Sequence, residues 1–212
     1  MKRTSIVLAD DHVLILEAIK RMLEPEFDVL GTFANGRALL DAAPELDPDL
    51  ILLDMHMPLM NGLCAGQRLK QLMPRVKLIY LTMSLDSDLA GEAFRMGASG
   101  YVLKSSATSE LIDAIHEVSR GRSYITPLMT KGMVGTFFQN VKPRKNQEKL
   151  TLRQKEVLQL LAEGRSMKEV AFMLNVTPRT VAFHKYTMME HLRLKTSAEL
   201  IQFAVKSSIV AA

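Results

Sequence analysis

Short apolar runs alternate with amphipathic stretches along residues 1–120. The runs have the length of strands, and three are nearly continuous in apolar residues, which is typical of parallel strands buried on both faces. The predicted strands are Ser5–Ala9, Phe27–Phe33, Asp49–Leu53, Val76–Leu81 and Gly100–Leu103. The spacing predicts helices between them over 12–23, 36–43, 62–72, 86–96 and 107–119. This alternation predicts an α/β domain with a doubly wound, five-stranded parallel sheet.

Residues 149–212 show a different pattern, which predicts four helices near 152–163, 167–174, 178–190 and 197–206. Three capping boxes mark helix starts, at Thr151–Gln154, Ser166–Glu169 and Thr196–Glu199. Thr177 and Pro178 supply a cap residue followed by a proline at the first helical position. Only residues 175–177 join the second and third helices, and so short a connection indicates a helix-turn-helix.

The segment 121–148 between these parts has weak periodicity, three glycines and two prolines. It also carries a basic cluster from Lys142 to Lys149. These features predict a linker, with a short helix around 127–138. The predicted organisation is therefore an α/β domain over 1–120, a linker over 121–148 and a smaller all-α domain over 149–212.

Composition excludes several classes of protein. Of the 212 residues, 48% are apolar and 24% charged, which excludes a disordered chain. No apolar run approaches the ~18 residues of a membrane span, and the N-terminus does not resemble a secretory signal. The single cysteine, Cys64, excludes an internal disulfide framework and a cysteine zinc site. We expect a cytoplasmic protein with no membrane partner.

The net charge of +4 is unevenly distributed. Residues 1–141 carry 14 Lys and Arg against 17 Asp and Glu, whereas residues 142–212 carry 13 against 6. A basic block of this size indicates an anionic partner such as nucleic acid, although a solvated surface would have the same composition.

Polar side chains stand where the predicted strands of the first domain end. These residues are Asp10 and Asp11, Asp54, Thr82 and Lys104. Ligands of open α/β sheets bind outside the carboxyl ends of the strands, so we expect these side chains to meet at one edge. Clustered carboxylates favour a bound cation, and oxygen ligands suit Mg²⁺. A lysine ammonium and a threonine hydroxyl could each contact a phosphoryl oxygen. Together with a metal ion, these residues fit the phosphorylation of an aspartate.

These residues resemble the receiver domain of two-component response regulators, which has a flavodoxin-like fold. The resemblance covers essentially all of residues 1–120. It rests on Asp10-Asp11, Leu53–Pro58 with Asn61-Gly62, Leu81-Thr82 and Gly97–Lys104. It implies that Asp54 accepts phosphate from a sensor histidine kinase, that Lys104 contacts the acyl phosphate, and that Thr82 and Tyr101 form a switch pair. It also implies Mg²⁺ bound by Asp11, Asp54 and the backbone carbonyl of His56, with Asp10 acting through water.

Four positions depart from the common receiver pattern. Met83 replaces a small residue after the switch threonine, and Ser105 stands where a proline often follows the lysine. Leu59 and Met60 replace the usual small or acidic residues of the loop after the phosphoacceptor.

The predicted third helix of the C-terminal domain, 178–190, has one core face and one outward face. Val181, His184 and Met188 share the core face by their spacing. Arg179, Ala182, Phe183 and Tyr186 point away from it, with Lys185 beside them. Such a helix fits the DNA major groove, where basic side chains can hold phosphates. Alternatively, an outward Phe and Tyr can form a protein contact.

Residues 149–206 resemble a LuxR-type helix-turn-helix, through Leu150–Leu158, Leu161–Gly164, Ser166–Ala171, Thr177–Val181, His184 and Leu192. The whole chain thus resembles the NarL/FixJ class of response regulators. The resemblance implies that promoter DNA is a partner. The residues that would read this DNA are Arg179, Thr180, Ala182, Phe183, Lys185 and Tyr186. The resemblance also implies a homodimer when phosphorylated or DNA-bound, with RNA polymerase as a further candidate partner. Ala182 departs from the lysine that is common there.

We therefore expect a phosphorylation-controlled regulator of transcription, with no enzymatic activity beyond self-phosphorylation and slow self-dephosphorylation. Two alternatives stay open. Aspartyl-phosphate phosphatases also place an acid beside Mg²⁺ at a strand end, but usually have a second Asp where His56 stands. The other alternative is a receiver-type interaction protein whose helical domain binds protein through Phe183 and Tyr186 rather than DNA.

Overall fold

The computed structural model describes residues 3–106, 108–129 and 150–210. In the first domain, parallel strands alternate with helices. The elements are β1 (Ser5–Ala9), α1 (Val13–Leu23), β2 (Asp28–Phe33), α2 (Gly36–Leu46), β3 (Leu50–Asp54), α3 (Gly62–Leu72), β4 (Lys77–Thr82), α4 (Ser87–Arg95), β5 (Gly100–Leu103), α5 (Thr108–Ser119) and β6 (Tyr124–Ile125). The strand order β2-β1-β3-β4-β5-β6 confirms the predicted doubly wound α/β fold.

The sheet has six strands rather than the predicted five, because a short parallel strand, β6, extends the edge beside β5. This strand falls within the segment that the sequence assigned to the linker. Thr126 fixes it in place, since its hydroxyl accepts a hydrogen bond from the Leu103 N–H at 3.1 Å. Two residues are too few to show a strand period, which explains why the sequence pattern missed this strand. The predicted short helix around 127–138 lies largely outside the described residues.

Helices cover both faces of the sheet and enclose two apolar cores. Helices α1 and α5 bury Leu16, Leu23 and Ile115 against one face. Helices α2, α3 and α4 bury Leu39, Leu69 and other side chains against the opposite face. The central strands β1 and β3 are buried along their whole length, as expected for strands covered on both sides. This burial makes the sheet a rigid base for the side chains at its carboxyl edge.

The C-terminal domain contains the four helices that the sequence predicted. They are α6 (Leu152–Ala162), α7 (Met167–Met173), α8 (Pro178–His191) and α9 (Ser197–Lys206). The capping boxes at Thr151 and Ser166 are fully formed. The third is half formed: Thr196 caps α9, whereas the Glu199 carboxylate accepts from the Lys195 N–H. Helices α7 and α8 meet through a tight turn that confirms the helix-turn-helix.

No helix among the described residues has the length and apolar character required to cross a membrane.

Candidate functional site

The strand-end residues singled out in the sequence lie together at the carboxyl edge of the sheet. Asp10 directly follows β1, Asp54 ends β3, Thr82 ends β4 and Lys104 directly follows β5. Parallel pairing of β1, β3, β4 and β5 brings these ends side by side. Asp10, Asp54 and Thr82 are buried polar residues, with exposed fractions of 1%, 3% and 0%. The result is a small acidic pocket on a rigid base.

Lys104 is the internal cation of this pocket. Its Nζ lies 2.6 Å from Asp10 Oδ2 and 2.9 Å from Asp54 Oδ1. All three side chains are at most 5% exposed, so the ion pairs are shielded from solvent. One ammonium therefore offsets part of the charge of two buried carboxylates, and the pocket retains an excess of negative charge.

Burial raises the pKa of Asp54 to about 6, against an ordinary value of 3.8. Lys104 acts in the opposite direction, and the neighbouring Asp10 and Asp11 add to the increase. Asp54 Oδ2 is buried and has no hydrogen-bond partner among the described residues. A buried polar atom without a partner is costly, so this oxygen is available to a ligand or a reacting group.

A metal-binding arrangement exists at the same place. Asp10, Asp11, His12 and Asp54 each offer one ligand atom, and these atoms lie within 4.8 Å of one another. His12 is not among the metal-binding residues predicted from the sequence, and its Nδ1 lies 2.9 Å from Asp11 Oδ1 and 3.1 Å from Asp10 Oδ1. Its position directly after the Asp10-Asp11 pair was the available signal. The carboxylate donors fit a hard divalent cation such as Mg²⁺.

Thr82 and Tyr101, the residues of the implied switch pair, lie close together. The Thr82 hydroxyl accepts a hydrogen bond from the Ser84 N–H at 3.0 Å. The Tyr101 ring is completely buried, so it already occupies an inward position in this structure. Burial raises the pKa of Tyr101 to about 12, and the neighbouring Thr82 side chain partly opposes this shift. A movement of the Thr82 side chain would therefore change the surroundings of the Tyr101 ring.

The loop after Asp54 returns tightly to the strand that precedes it. The Gly62 N–H donates to the Met55 carbonyl at 3.0 Å, and a Cβ atom at Gly62 would overlap the carbonyl oxygen of Asp54. Asn61 caps α3 by accepting a hydrogen bond from the Cys64 N–H. The Asn61-Gly62 pair thus fixes the path of the backbone beside the pocket, and His56 lies on this path, half-buried.

We expect Asp54→Asn to stabilise the fold at neutral pH. The raised pKa means that ionising Asp54 costs the folded state free energy, a cost that develops as pH rises from about 4 to about 6. Removing the charge should gain about 3 kcal/mol at pH 7.5 and nothing near pH 3.5. Urea unfolding at both pH values measures the difference, with the exposed Asp41→Asn as control. Equal changes at the two pH values would contradict the prediction.

The predicted DNA-reading residues lie on α8. Its core face buries Val181 and Met188 completely, whereas His184 is only half-buried. On the opposite face Arg179, Phe183 and Tyr186 are exposed. The remaining members of the set, Thr180, Ala182 and Lys185, are half-buried, and Lys185 Nζ lies 5.7 Å from the centre of the Tyr186 ring. In the described part of the chain, the helix thus presents the basic Arg179 and the aromatic Phe183 and Tyr186 as exposed side chains.

Comparisons with known proteins agree with both halves of the structure. Residues 6–116 match the response regulator receiver domain, and residues 148–204 match the bacterial regulatory proteins of the luxR family. The oxygen regulatory protein NreC of Staphylococcus carnosus is 33% identical, with 97% of this chain and 98% of that protein covered. The transcriptional regulatory protein DegU of Brevibacillus brevis is 31% identical, with 98% and 95% covered.

Solved structures show the same two-domain organisation. The RcsB response regulator of Salmonella typhimurium matches with a TM-score of 0.66 and 26% identity, covering 99% of this chain and all of that one. A complex of the response regulator RcsB with DNA matches with a TM-score of 0.60 and 26% identity, covering 95% and 98%.

The fold and the acidic pocket define a signal-receiving domain joined to a helix-turn-helix. The chain belongs to the two-component response regulators that combine a receiver domain with a LuxR-type DNA-binding domain. Its function is regulation of transcription through DNA binding, and the family is one of regulators rather than enzymes.

Proposed function

We propose that Asp54 is the phosphoacceptor through which a sensor histidine kinase controls this regulator. The observation that carries the proposal is the arrangement around Asp54: Lys104 pairs with Oδ1, whereas Oδ2 is buried and has no hydrogen-bond partner among the described residues. In the proposed transfer, an Asp54 carboxylate oxygen attacks the phosphorus of the phosphorylated kinase histidine. The phosphorus–nitrogen bond breaks as the acyl phosphate forms. Lys104 and the Thr82 hydroxyl then contact the new phosphoryl oxygens.

The metal of the proposed reaction is Mg²⁺, held by Asp11, Asp54 and the backbone carbonyl of His56, with Asp10 acting through water. The cluster of carboxylate oxygens around Asp54 supports this choice. Bound Mg²⁺ would neutralise charge on the transferred phosphoryl group. The group that is phosphorylated, Asp54, is itself a residue of the pocket. The chemistry we propose is therefore limited to self-phosphorylation and slow self-dephosphorylation.

For the output, we propose that α8 reads promoter DNA through Arg179, Thr180, Ala182, Phe183, Lys185 and Tyr186. The exposed aromatic and basic face supports this assignment. We further propose that phosphorylation favours a homodimer, and that RNA polymerase is contacted from the DNA-bound state. The domains would be the receiver over 1–120, a linker over 121–148 whose strand β6 joins the receiver sheet, and the DNA-binding domain over 149–212. The protein would act in the bacterial cytoplasm.

Selection of bound fragments from genomic DNA by the full chain, with and without a phosphoryl donor, tests this proposal for DNA binding. We expect Arg179→Ala to weaken binding and to lower the slope of log affinity against log salt concentration by about one. Arg37→Ala removes an equal charge from the receiver domain and should leave the slope unchanged. Absence of DNA binding, with retained capture of a protein through Phe183 and Tyr186, would favour the interaction-protein alternative.

A further inference from the structure

His12 brings an imidazole ring to the rim of the acidic pocket. It directly follows the Asp10-Asp11 pair and directly precedes α1. Its N–H donates to Asp10 Oδ1 at 2.9 Å, and its carbonyl accepts a hydrogen bond from the Leu16 N–H at 3.0 Å. The side chain is 63% exposed, so solvent ions can reach the ring. The backbone of His12 is therefore fixed, and its ring stands where a cation would enter the pocket.

The Nδ1 atom of His12 faces carboxylate oxygens of two residues. It lies 2.9 Å from Asp11 Oδ1 and 3.1 Å from Asp10 Oδ1. Atoms bonded to one metal ion at about 2.1 Å lie roughly 3 Å apart, so these three atoms have the spacing of ligands that share an ion. His12 is the N-cap residue of α1, but its side chain forms no cap hydrogen bond with that helix. Within the described part of the chain, the ring is therefore turned toward the carboxylates and not toward the helix.

The ion pairs of Lys104 leave carboxylate oxygens for a cation. Lys104 Nζ pairs with Asp10 Oδ2 and with Asp54 Oδ1. The other oxygen of Asp10 is the one that lies beside the His12 ring. The other oxygen of Asp54 is buried and has no hydrogen-bond partner among the described residues. Each of these two buried carboxylates therefore faces the ammonium with one oxygen and keeps a second oxygen that can bind a metal ion.

The ligand atoms that converge in the pocket are of two chemical kinds. Asp10, Asp11 and Asp54 offer oxygen, His12 offers nitrogen, and all four atoms lie within 4.8 Å of one another. His56, the other histidine of the site, is not in this group among the described residues. Mg²⁺ prefers oxygen ligands, whereas imidazole nitrogen suits transition-metal ions such as Zn²⁺ and Ni²⁺. The imidazole is therefore the feature of the pocket that would change its metal preference.

We propose that His12 is a metal ligand through which the pocket also binds a transition-metal ion of the Zn²⁺ class. The inference deepens the proposed metal site and rests on it. The carboxylates of Asp11 and Asp54 serve both ions, whereas the Nδ1 atom of His12 serves only the transition metal. Because the two ions share oxygen ligands, they compete for one place. The pocket thus responds to which divalent ion is available as well as to a phosphoryl donor.

Titration of the full chain with Zn²⁺ alone and with Mg²⁺ alone tests the role of His12. His12→Ala removes the ring, and His12→Asn keeps an N–H donor for the carboxylates but no imidazole nitrogen. We expect each variant to bind Zn²⁺ at least about 10-fold more weakly, with the Mg²⁺ affinity changed by less than about 2-fold. Isothermal titration calorimetry gives both affinities. In the unchanged chain, excess Mg²⁺ should lower the apparent affinity for Zn²⁺, since the ions compete.

Nuclear magnetic resonance of the ring nitrogens reports on the metal bond itself. In the ¹⁵N-labelled full chain, one equivalent of Zn²⁺ should shift the Nδ1 signal of His12. His116 is the matched control, because its Nε2 lies 2.8 Å from Glu26 Oε1, beside a carboxylate but outside the pocket. Its ring signals should stay in place, and His116→Asn should leave the affinities for both metals unchanged.

Three results would overturn the proposal. The first is an unchanged Zn²⁺ affinity in both His12 variants. The second is an equal loss of Zn²⁺ and Mg²⁺ affinity, because His12 would then act by orienting the carboxylates. The third is a Zn²⁺-bound chain in which the His12 ring signals have not moved. In all three cases Mg²⁺ would still support labelling of Asp54 by acetyl phosphate, and the proposed function would stand. Failure of the proposed function differs, because Asp54 would then not be labelled in any variant.

Discussion

Asp54→Asn should abolish phosphorylation of the full chain by acetyl phosphate and Mg²⁺, with labelling reduced at least about 100-fold. The amide nitrogen and oxygen cannot replace the carboxylate nucleophile, whose Oδ2 has no hydrogen-bond partner among the described residues. Intact-mass measurement of the acid-labile adduct gives the extent of labelling. Binding of selected DNA should then no longer respond to the phosphoryl donor.

The comparison variant for this test is Asp41→Asn, which changes an exposed carboxylate on α2. It should be labelled at the rate of the unchanged chain. Undiminished labelling of Asp54→Asn would place the phosphoacceptor elsewhere and end the proposal. Turnover of small phosphoesters far beyond one phosphate per chain would instead favour the phosphatase alternative.

The same substitution should stabilise the fold while it removes the response. Burial raises the pKa of Asp54 to about 6, so the ionised nucleophile is held in an unfavourable environment. The ionised Asp54 carboxylate, whose Oδ2 has no hydrogen-bond partner among the described residues, costs the folded state free energy. Stability and function conflict at this residue, as is common at functional sites.

The pocket could be predicted from the sequence because it depends on topology. Asp54 and Thr82 end buried strands, Asp10 and Lys104 directly follow them, and parallel strands bring their carboxyl ends together. The pattern did not show that Lys104 pairs with Asp10 as well as Asp54. That double contact depends on side-chain directions and burial, which spacing along the chain does not encode.

Contacts between the domains could not be predicted at all. Leu59 was visible only as a departure from the receiver pattern in a loop, without a period to assign it to a core. Its N–H donates to Glu163, which lies 104 positions away, and the pairing depends on how one folded domain rests on the other. Likewise, β6 is two residues long and depends on the edge of β5 for its hydrogen bonds. Local patterns predict elements, whereas these features depend on complementary surfaces.

Lys104→Met should destabilise the fold by about 3–5 kcal/mol at neutral pH. The substitution leaves Asp10 and Asp54 buried beside each other without the ammonium that lies 2.6 Å and 2.9 Å from them. Without this cation, the pKa of Asp54 should rise further above its ordinary value. The folded variant then binds a proton more readily than the unfolded chain. Its stability relative to the unchanged chain should therefore recover as pH falls towards about 6, and the recovery should be complete below that pH.

A double-mutant cycle separates charge from packing in this loss. If the uncompensated carboxylates cause it, Asp54→Asn should restore a large part of the stability of Lys104→Met, and added Mg²⁺ should restore part of it without any further substitution. Urea unfolding at pH 7.5 and pH 5, with and without Mg²⁺, measures these terms, and the exposed Lys206→Met is the control. A loss that is the same at both pH values and unaffected by Asp54→Asn would show that Lys104 acts through the packing of its aliphatic chain. The charge balance of the pocket would then not be what fixes Asp54 in its reactive position.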